Sequence, residues 1–351
     1  MATLKDIARK LNLSVTTVSR ALNGFPEVNE QTRQAVINTA QAMDYRPNQF
    51  ARKLVTGQSG MVGMIAQASV DLSTDPLFVE IITGLSQHLA QRDVHFILHV
   101  STENDILASY RYLQSLGMLD GYVLTRPLRD DARIGFLREH KAPFVLHGRV
   151  PGDNAYPYYD IDNYGSASQA TRYLLDMGHQ DIAFLNGCQQ QGFAIDRLQG
   201  YLDTRIARQF PTPEHLIWHE VMTENYGYRA ARHLLERPQG RPTAFLCANT
   251  LIASGVYQAV HEAGLQVARD ISVIAHDDAV PQLKAIHFQP ALTVTRSPLR
   301  NASEPLADLL VRHIQGEPLE NLQIVAQPEL ILRDSTGPAF NRTAVINPAN
   351  A

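Results

Sequence analysis

Leu4-Lys5-Asp6-Ile7-Ala8-Arg9-Lys10-Leu11-Asn12-Leu13-Ser14-Val15-Thr16-Thr17-Val18-Ser19-Arg20-Ala21-Leu22-Asn23 reads as two short helices joined by a tight turn. Thr3 and Asp6 form a capping signal for the first helix, and Leu4, Ile7, Ala8 and Leu11 fall on one face of it. Asn12 and Leu13 make the turn, and Ser14 caps the second helix. Val15, Val18 and Leu22 are expected to face the core, leaving Thr16, Thr17, Ser19, Arg20 and Asn23 outward. Small hydrogen-bonding side chains at the start of a helix can reach base edges in the major groove. An arginine there can grip a guanine or a phosphate. An ordinary helical hairpin with a solvated face would show the same periodicity.

The flanking sequence separates the two readings. After the break at Gly24-Phe25-Pro26, Asn29 caps a third helix running to about Met43, with Val36, Ile37, Ala40 and Met43 closing a small core. Ala2 to Ala8, Ser14 to Asn23, Val28-Asn29 with Thr32-Arg33, and Tyr45-Arg46-Pro47-Asn48 with Ala51-Arg52 and Leu54 resemble the DNA-binding head of the lactose/galactose repressor family. The resemblance puts Thr16 and Thr17 at the positions that vary with operator choice. It adds Asn29 and Tyr45 to the DNA-facing set. It also implies that residues 48–55, too short for a stable isolated helix, form a hinge helix that folds in the minor groove with Leu54 as a wedge between base steps. On the residues alone, 47–60 is an interdomain linker ending in the flexible Thr56-Gly57-Gln58-Ser59-Gly60.

Charge is divided unevenly. Residues 1–60 carry eight Lys or Arg against four acids, a head of +4 on a chain whose net charge is −4, so the rest carries −8. A basic head on an acidic body suits a protein that offers one end to phosphates. The 351 residues can hold two or three domains. Cys188 and Cys247 stand far apart with no metal spacing, the histidines show no ligand pattern, and no stretch reads as a signal peptide or a membrane span. A cytoplasmic protein without metal or cofactor is expected.

From Met61 the texture becomes alternating β-rich runs and helical patterns. Strands are expected near 62–66, 94–100, 121–125, 143–147, 182–185 and 244–248, with helices near 78–92, 106–116 and 165–177. This is an α/β core with mostly parallel sheets, whose ligands collect at the carboxyl ends of strands. No glycine-rich phosphate loop follows any strand, which argues against a nucleotide cofactor. The polar residues after the strands are Arg149, Asn249 and Asp277, with Phe193 and Arg197 one helical turn apart. Planar Arg, Asp and Asn groups bind vicinal hydroxyls in pairs, and an aromatic ring covers the apolar face of a sugar. Trp218 fits a strand core better than a sugar platform. Asp277-Asp278 lacks the nucleophile and base that catalysis would need, so no catalytic residue is assigned.

The body resembles the same family's two-lobed, periplasmic-binding-protein-like core. The resemblance implies effector contacts at Phe78, Arg149, Asp160, Phe193, Arg197, Asn249 and Asp277. Phe144 to Arg149 with Tyr159 to Asn163 is similar to the α-glucoside and raffinose regulator branch. Two departures stand out: Asn249-Thr250 replaces the family's Asn-Asp pair, and Ala275-His276 replaces its Gly-aromatic pair. The expected domains are a helix-turn-helix at 1–46, a hinge at 47–60, a core at 61–334 and a tail at 335–351. Within the core, the first lobe takes about 61–160 and 292–328, and the second about 161–291 and 329–334. The tail carries no leucine heptad, so a homodimer on a near-palindromic double-stranded operator is expected. The function this implies is a repressor of sugar or glycoside genes, released by a small sugar such as sucrose or another plant glucoside. The alternatives are a corepressor-dependent regulator binding a nucleobase or nucleoside and, in a different class, a sugar-binding transport receptor. The head argues against the receptor.

Overall fold

A computed structural model describes residues 2–45, 57–68, 76–102, 105–152, 154–211 and 214–339. The hinge helix expected over 48–55, its Leu54, and residues 340–351 of the tail lie outside the described residues. The chain divides into two compact units, Met1–Gly60 and Met61–Ala351.

The first unit is a three-helix head: α1 (Leu4–Leu11), α2 (Val15–Leu22) and α3 (Glu30–Ala42). Thr3 and Asp6 form the capping box of α1, the Asp6 carboxylate accepting from the Thr3 amide at 2.9 Å. Asn12 ends α1 in the left-handed region at φ 54°, a conformation that asparagine tolerates better than most side chains. Ile7, Ala8, Val18, Ala21, Val28, Val36 and Ala40 form the core. Burying a Val or Ile contributes about 1.5–3 kcal/mol, and a head this small has few such residues to lose.

The second unit holds two six-stranded sheets. The first runs β11-β5-β4-β3-β1-β2, from β1 (Met61–Gln67), β2 (His95–Ser101), β3 (Gly121–Thr125), β4 (Phe144–His147), β5 (Tyr158–Ile161) and β11 (Gln323–Ala326). The second runs β12-β10-β9-β8-β6-β7, from β6 (Ile182–Asn186), β7 (Ile217–His219), β8 (Ala244–Cys247), β9 (Ser272–Asp277), β10 (Thr293–Arg296) and β12 (Glu329–Ile331). All pairings are parallel except β10 with β12. The central strands are buried on both faces, as in Phe245, Val273 and Ile274 at 0% exposure, while the edge strand β2 stays largely exposed.

The two sheets repeat one winding. In each, the first strand is flanked by the second on one side and the third on the other, which leaves a switch point at its carboxyl end. The chain crosses between sheets after β5, after β10 and after β11. The crossings after β5 and after β11 lie together, where Asp162 N donates to Ala326 O at 2.8 Å. One expectation is corrected. Residues 292–296 were assigned to the first lobe, but β10 pairs with β9 in the second sheet, Thr293 opposite Ile274. The return to the first lobe comes with the helix Arg300–Ile314, which packs under the first sheet through Leu306, Leu309 and Leu310.

Candidate functional site

In the head, Ser14 and Thr17 are tied together. Ser14 Oγ accepts from Thr17 N at 3.0 Å and lies 2.8 Å from Thr17 Oγ1. Thr17 therefore spends its hydroxyl on the cap. Val15, expected in the core, is 40% exposed. It is the first helical residue of α2, and the buried stripe runs through Val18 and Ala21 instead. The outward pair at the start of this helix is Val15 and Thr16, not Thr16 and Thr17. Arg20 and Asn23 are exposed and Ser19 is half-buried. The Asn23 side-chain amide donates to the Ser19 carbonyl at 2.8 Å. Asn29 caps α3, its Oδ1 accepting from Thr32 N at 2.8 Å, and stays exposed. Tyr45 packs against the head's core, and burial raises its phenol above the ordinary value.

In the second unit, one hydrogen-bonded chain links the lobes. Arg149, just beyond β4, donates from Nε to Asp160 Oδ2 at 2.7 Å. Asp160 Oδ1 accepts from Asn163 Nδ2 at 3.1 Å. Asn163 Oδ1 accepts from Arg197 Nε at 2.8 Å, and Arg197 Nη1 donates to the Ala248 carbonyl at 2.7 Å. Arg197 also lies over the Phe193 ring, 5.1 Å from its centroid. Burial pushes Arg197 below its ordinary value, opposed by the charges of Asp278 and Asp160. For Arg149 burial acts the same way, but the Asp160 hydrogen bond and the charges of Asp160 and Asp196 together outweigh it and the net direction is up. Buried charges persist only when paired and hydrogen-bonded, and this chain supplies both conditions. Arg197 Nη2 has no protein partner among the described residues and is not sealed from solvent. It is a donor without an assigned acceptor at the carboxyl end of the second sheet.

The neighbouring predicted residues are committed in part. Asn249 is buried as the cap of the helix Thr250–Glu262, its Oδ1 accepting from Ile252 N at 2.9 Å. Asp277, also buried, accepts from Ala279 N at 2.8 Å and lies 3.6 Å from Arg296 Nε. Phe78 belongs to the apolar cluster of the first lobe, with Val62, Met64 and Ile81. Trp218 packs against the second lobe's core and donates to the His215 carbonyl at 3.2 Å. The structure thus joins Arg149, Asp160, Phe193 and Arg197 directly, and sets Asn249 and Asp277 at the same carboxyl edge.

Four residues were not assigned from the sequence. Asn163 bridges Asp160 to Arg197; only its place beside Asp160 pointed to it. Asp278 lies 3.6 Å from His276 Nε2; burial alone would raise its carboxyl, but His276, Arg197 and His147 hold it below the ordinary value. Gly192 seats one lobe on the other. Its amide donates to Pro127 O at 3.0 Å, Arg129 N donates to Gln190 O at 2.7 Å, and a Cβ on Gly192 would collide with the Arg149 carbonyl. Gly187 lets Phe193 approach, since a Cβ there would stand 2.8 Å from the ring. No group of three His, Cys, Asp or Glu among the described residues could hold a metal ion, and no helix among them is long and apolar enough to cross a membrane.

A helical head of this kind joined to a doubled, doubly wound core defines a DNA-binding regulator with a binding-protein-like sensor. The head matches the family of bacterial regulatory proteins, lacI family, over residues 3–48, and residues 171–336 match the periplasmic binding protein-like domain. The chain is 39% identical to the HTH-type transcriptional regulator AglR of Rhizobium meliloti (strain 1021) over 347 residues, 99% of this chain and 97% of that one. It is 32% identical to the regulator RafR of Escherichia coli, covering 93% and 96%. Among solved structures it is similar to the transcriptional regulator CelR–cellobiose complex, with a TM-score of 0.71, 28% identity and coverage of 95% and 100%. The chain belongs to the LacI family of transcriptional regulators.

Proposed function

We propose that this protein is a homodimeric repressor of glycoside uptake or hydrolysis genes, released from a near-palindromic operator when a small sugar binds between the lobes of its core. The observation that carries the reading is the chain Arg149–Asp160–Asn163–Arg197–Ala248, which brings two charged guanidinium groups and the half-buried Phe193 ring together between the carboxyl ends of the two sheets. Arg149, Phe193 and Arg197, with Asp160, Asn249 and Asp277, form the effector pocket. Arg197 Nη2 donates to a sugar hydroxyl while Phe193 lies against the apolar face. A disaccharide effector accords with a relative solved with cellobiose.

Val15, Thr16, Ser19 and Arg20 read base edges, and Asn23, Asn29 and Tyr45 place the head on the backbone. The second copy of the chain supplies the other half-site. Edge strand β2 leaves Ile97, Leu98 and Val100 exposed, a surface that suits pairing with that copy. Sugar binding changes the angle between lobes and withdraws the geometry the two heads need. Calorimetry of the whole protein with sucrose, maltose, cellobiose and raffinose tests the pocket. One of them binds with one site per chain; heats indistinguishable from dilution for all four would remove the sugar reading.

A further inference from the structure

His219 closes β7 and is in register with Asn186 at the end of β6. Neighbours in register point to the same face of a sheet. That face is the one covered by the helix Gly192–Ala207: Phe184 stacks on Tyr201 at 4.9 Å, and Asn186 Nδ2 donates to Ala194 O at 2.8 Å. Trp218 turns to the opposite cluster. His219 therefore shares a face and an edge with Phe193 and Arg197. Its Nδ1 lies 3.1 Å from the carbonyl of Gly187, the residue against which the Phe193 ring packs. A carbonyl only accepts, so Nδ1 carries the proton and Nε2 is the acceptor. Burial, partly opposed by the Gly187 hydrogen bond, holds the imidazole below its ordinary value and favours the neutral form. His219 is half-buried, and Nε2 has no partner among the described residues.

We propose that His219 is a specificity-determining residue of the effector cleft, with Nε2 accepting a hydroxyl of the sugar unit that lies against Phe193. Arg197 can only donate; His219 adds an acceptor of fixed tautomer. The pair therefore selects a hydroxyl by the direction of its proton as well as by its position. The assignment rests on the sugar reading of the same cleft.

The test uses calorimetry of the full-length protein with sucrose, maltose, cellobiose and raffinose, followed by monodeoxy analogues of the one that binds. His219→Phe keeps a ring and removes both nitrogens. His219→Asn keeps a donor for Gly187 and draws the acceptor back. Each variant binds the parent sugar about 3- to 10-fold more weakly, the scale of one neutral hydrogen bond. One deoxy analogue is weakened by the same factor against the wild type and not further against either variant. Should both variants keep wild-type affinity and the wild-type ranking of analogues while Arg197→Lys loses affinity, this inference falls and the cleft reading stands. Should none of the four sugars bind the wild type, the cleft reading falls and takes this one with it.

Discussion

Replacing Arg197 with lysine keeps the charge and removes the fork. In the structure the fork does two fixed jobs, at 2.8 Å to Asn163 and 2.7 Å to the Ala248 carbonyl, and leaves Nη2 without a partner among the described residues. A lysine ammonium is a single point at the end of a flexible stem and cannot serve both protein acceptors and a ligand in one geometry. If it turns to the sugar, Asn163 Oδ1 loses its donor; if it stays with the protein, the sugar loses one. A hydrogen bond from a charged donor contributes about 1.5–3 kcal/mol, so sugar affinity falls by roughly 10- to 150-fold. The orphaned buried acceptor lowers folding stability by about 1–3 kcal/mol. Operator affinity without sugar stays within about twofold, since the affected contacts lie wholly in the second unit. Calorimetry with the sugar, denaturant unfolding and operator anisotropy read the three quantities separately. Unchanged sugar affinity beside the expected loss of stability would show that Arg197 only supports the fold, and would refute the reasoning.

Gly192→Ala forces a Cβ against the Arg149 carbonyl. Overpacking of this kind costs about 1–3 kcal/mol, and sugar binding weakens at least tenfold if the bound state keeps this seat between the lobes; wild-type affinity with an unchanged melting temperature would contradict that. Val15→Ala changes folding stability by under about 0.5 kcal/mol, because the side chain is 40% exposed, yet it shifts the preferred base at one operator position by roughly 1 kcal/mol or more. Selection of binding sites from a random pool measures the shift, and an unchanged preference would take Val15 out of the interface. Leu54→Ala weakens specific operator binding more than nonspecific binding, and equal losses in a gel shift would contradict the wedge.

The helix-turn-helix was legible because its signals are local: a capping box, a turn that asparagine tolerates, and an apolar stripe at helical spacing. The alternation of strands and helices was legible for the same reason. Sheet membership was less so. Thr293 to Arg296 is a short β-branched run that either sheet could take up, and only its pairing with β9 decides the matter. Val15 was misplaced because helical periodicity gives a face about 100° wide, and its edges cannot be assigned without knowing where the partner helix ends. Arg197 was visible one helical turn from Phe193, and Asp160 only through the family resemblance. Asn163, Gly192 and His219 were not, since each acts through a contact with a segment distant in sequence.

The most direct measurement of the central claim is fluorescence anisotropy on a palindrome from the upstream region of the gene, titrated with full-length protein alone and with each of the four sugars at saturation. Release by one sugar, with operator affinity lowered by about 5- to 150-fold, the usual range of an allosteric coupling, is the predicted result. A sugar that binds in calorimetry yet leaves operator affinity unchanged, or tightens it, would contradict induction by release.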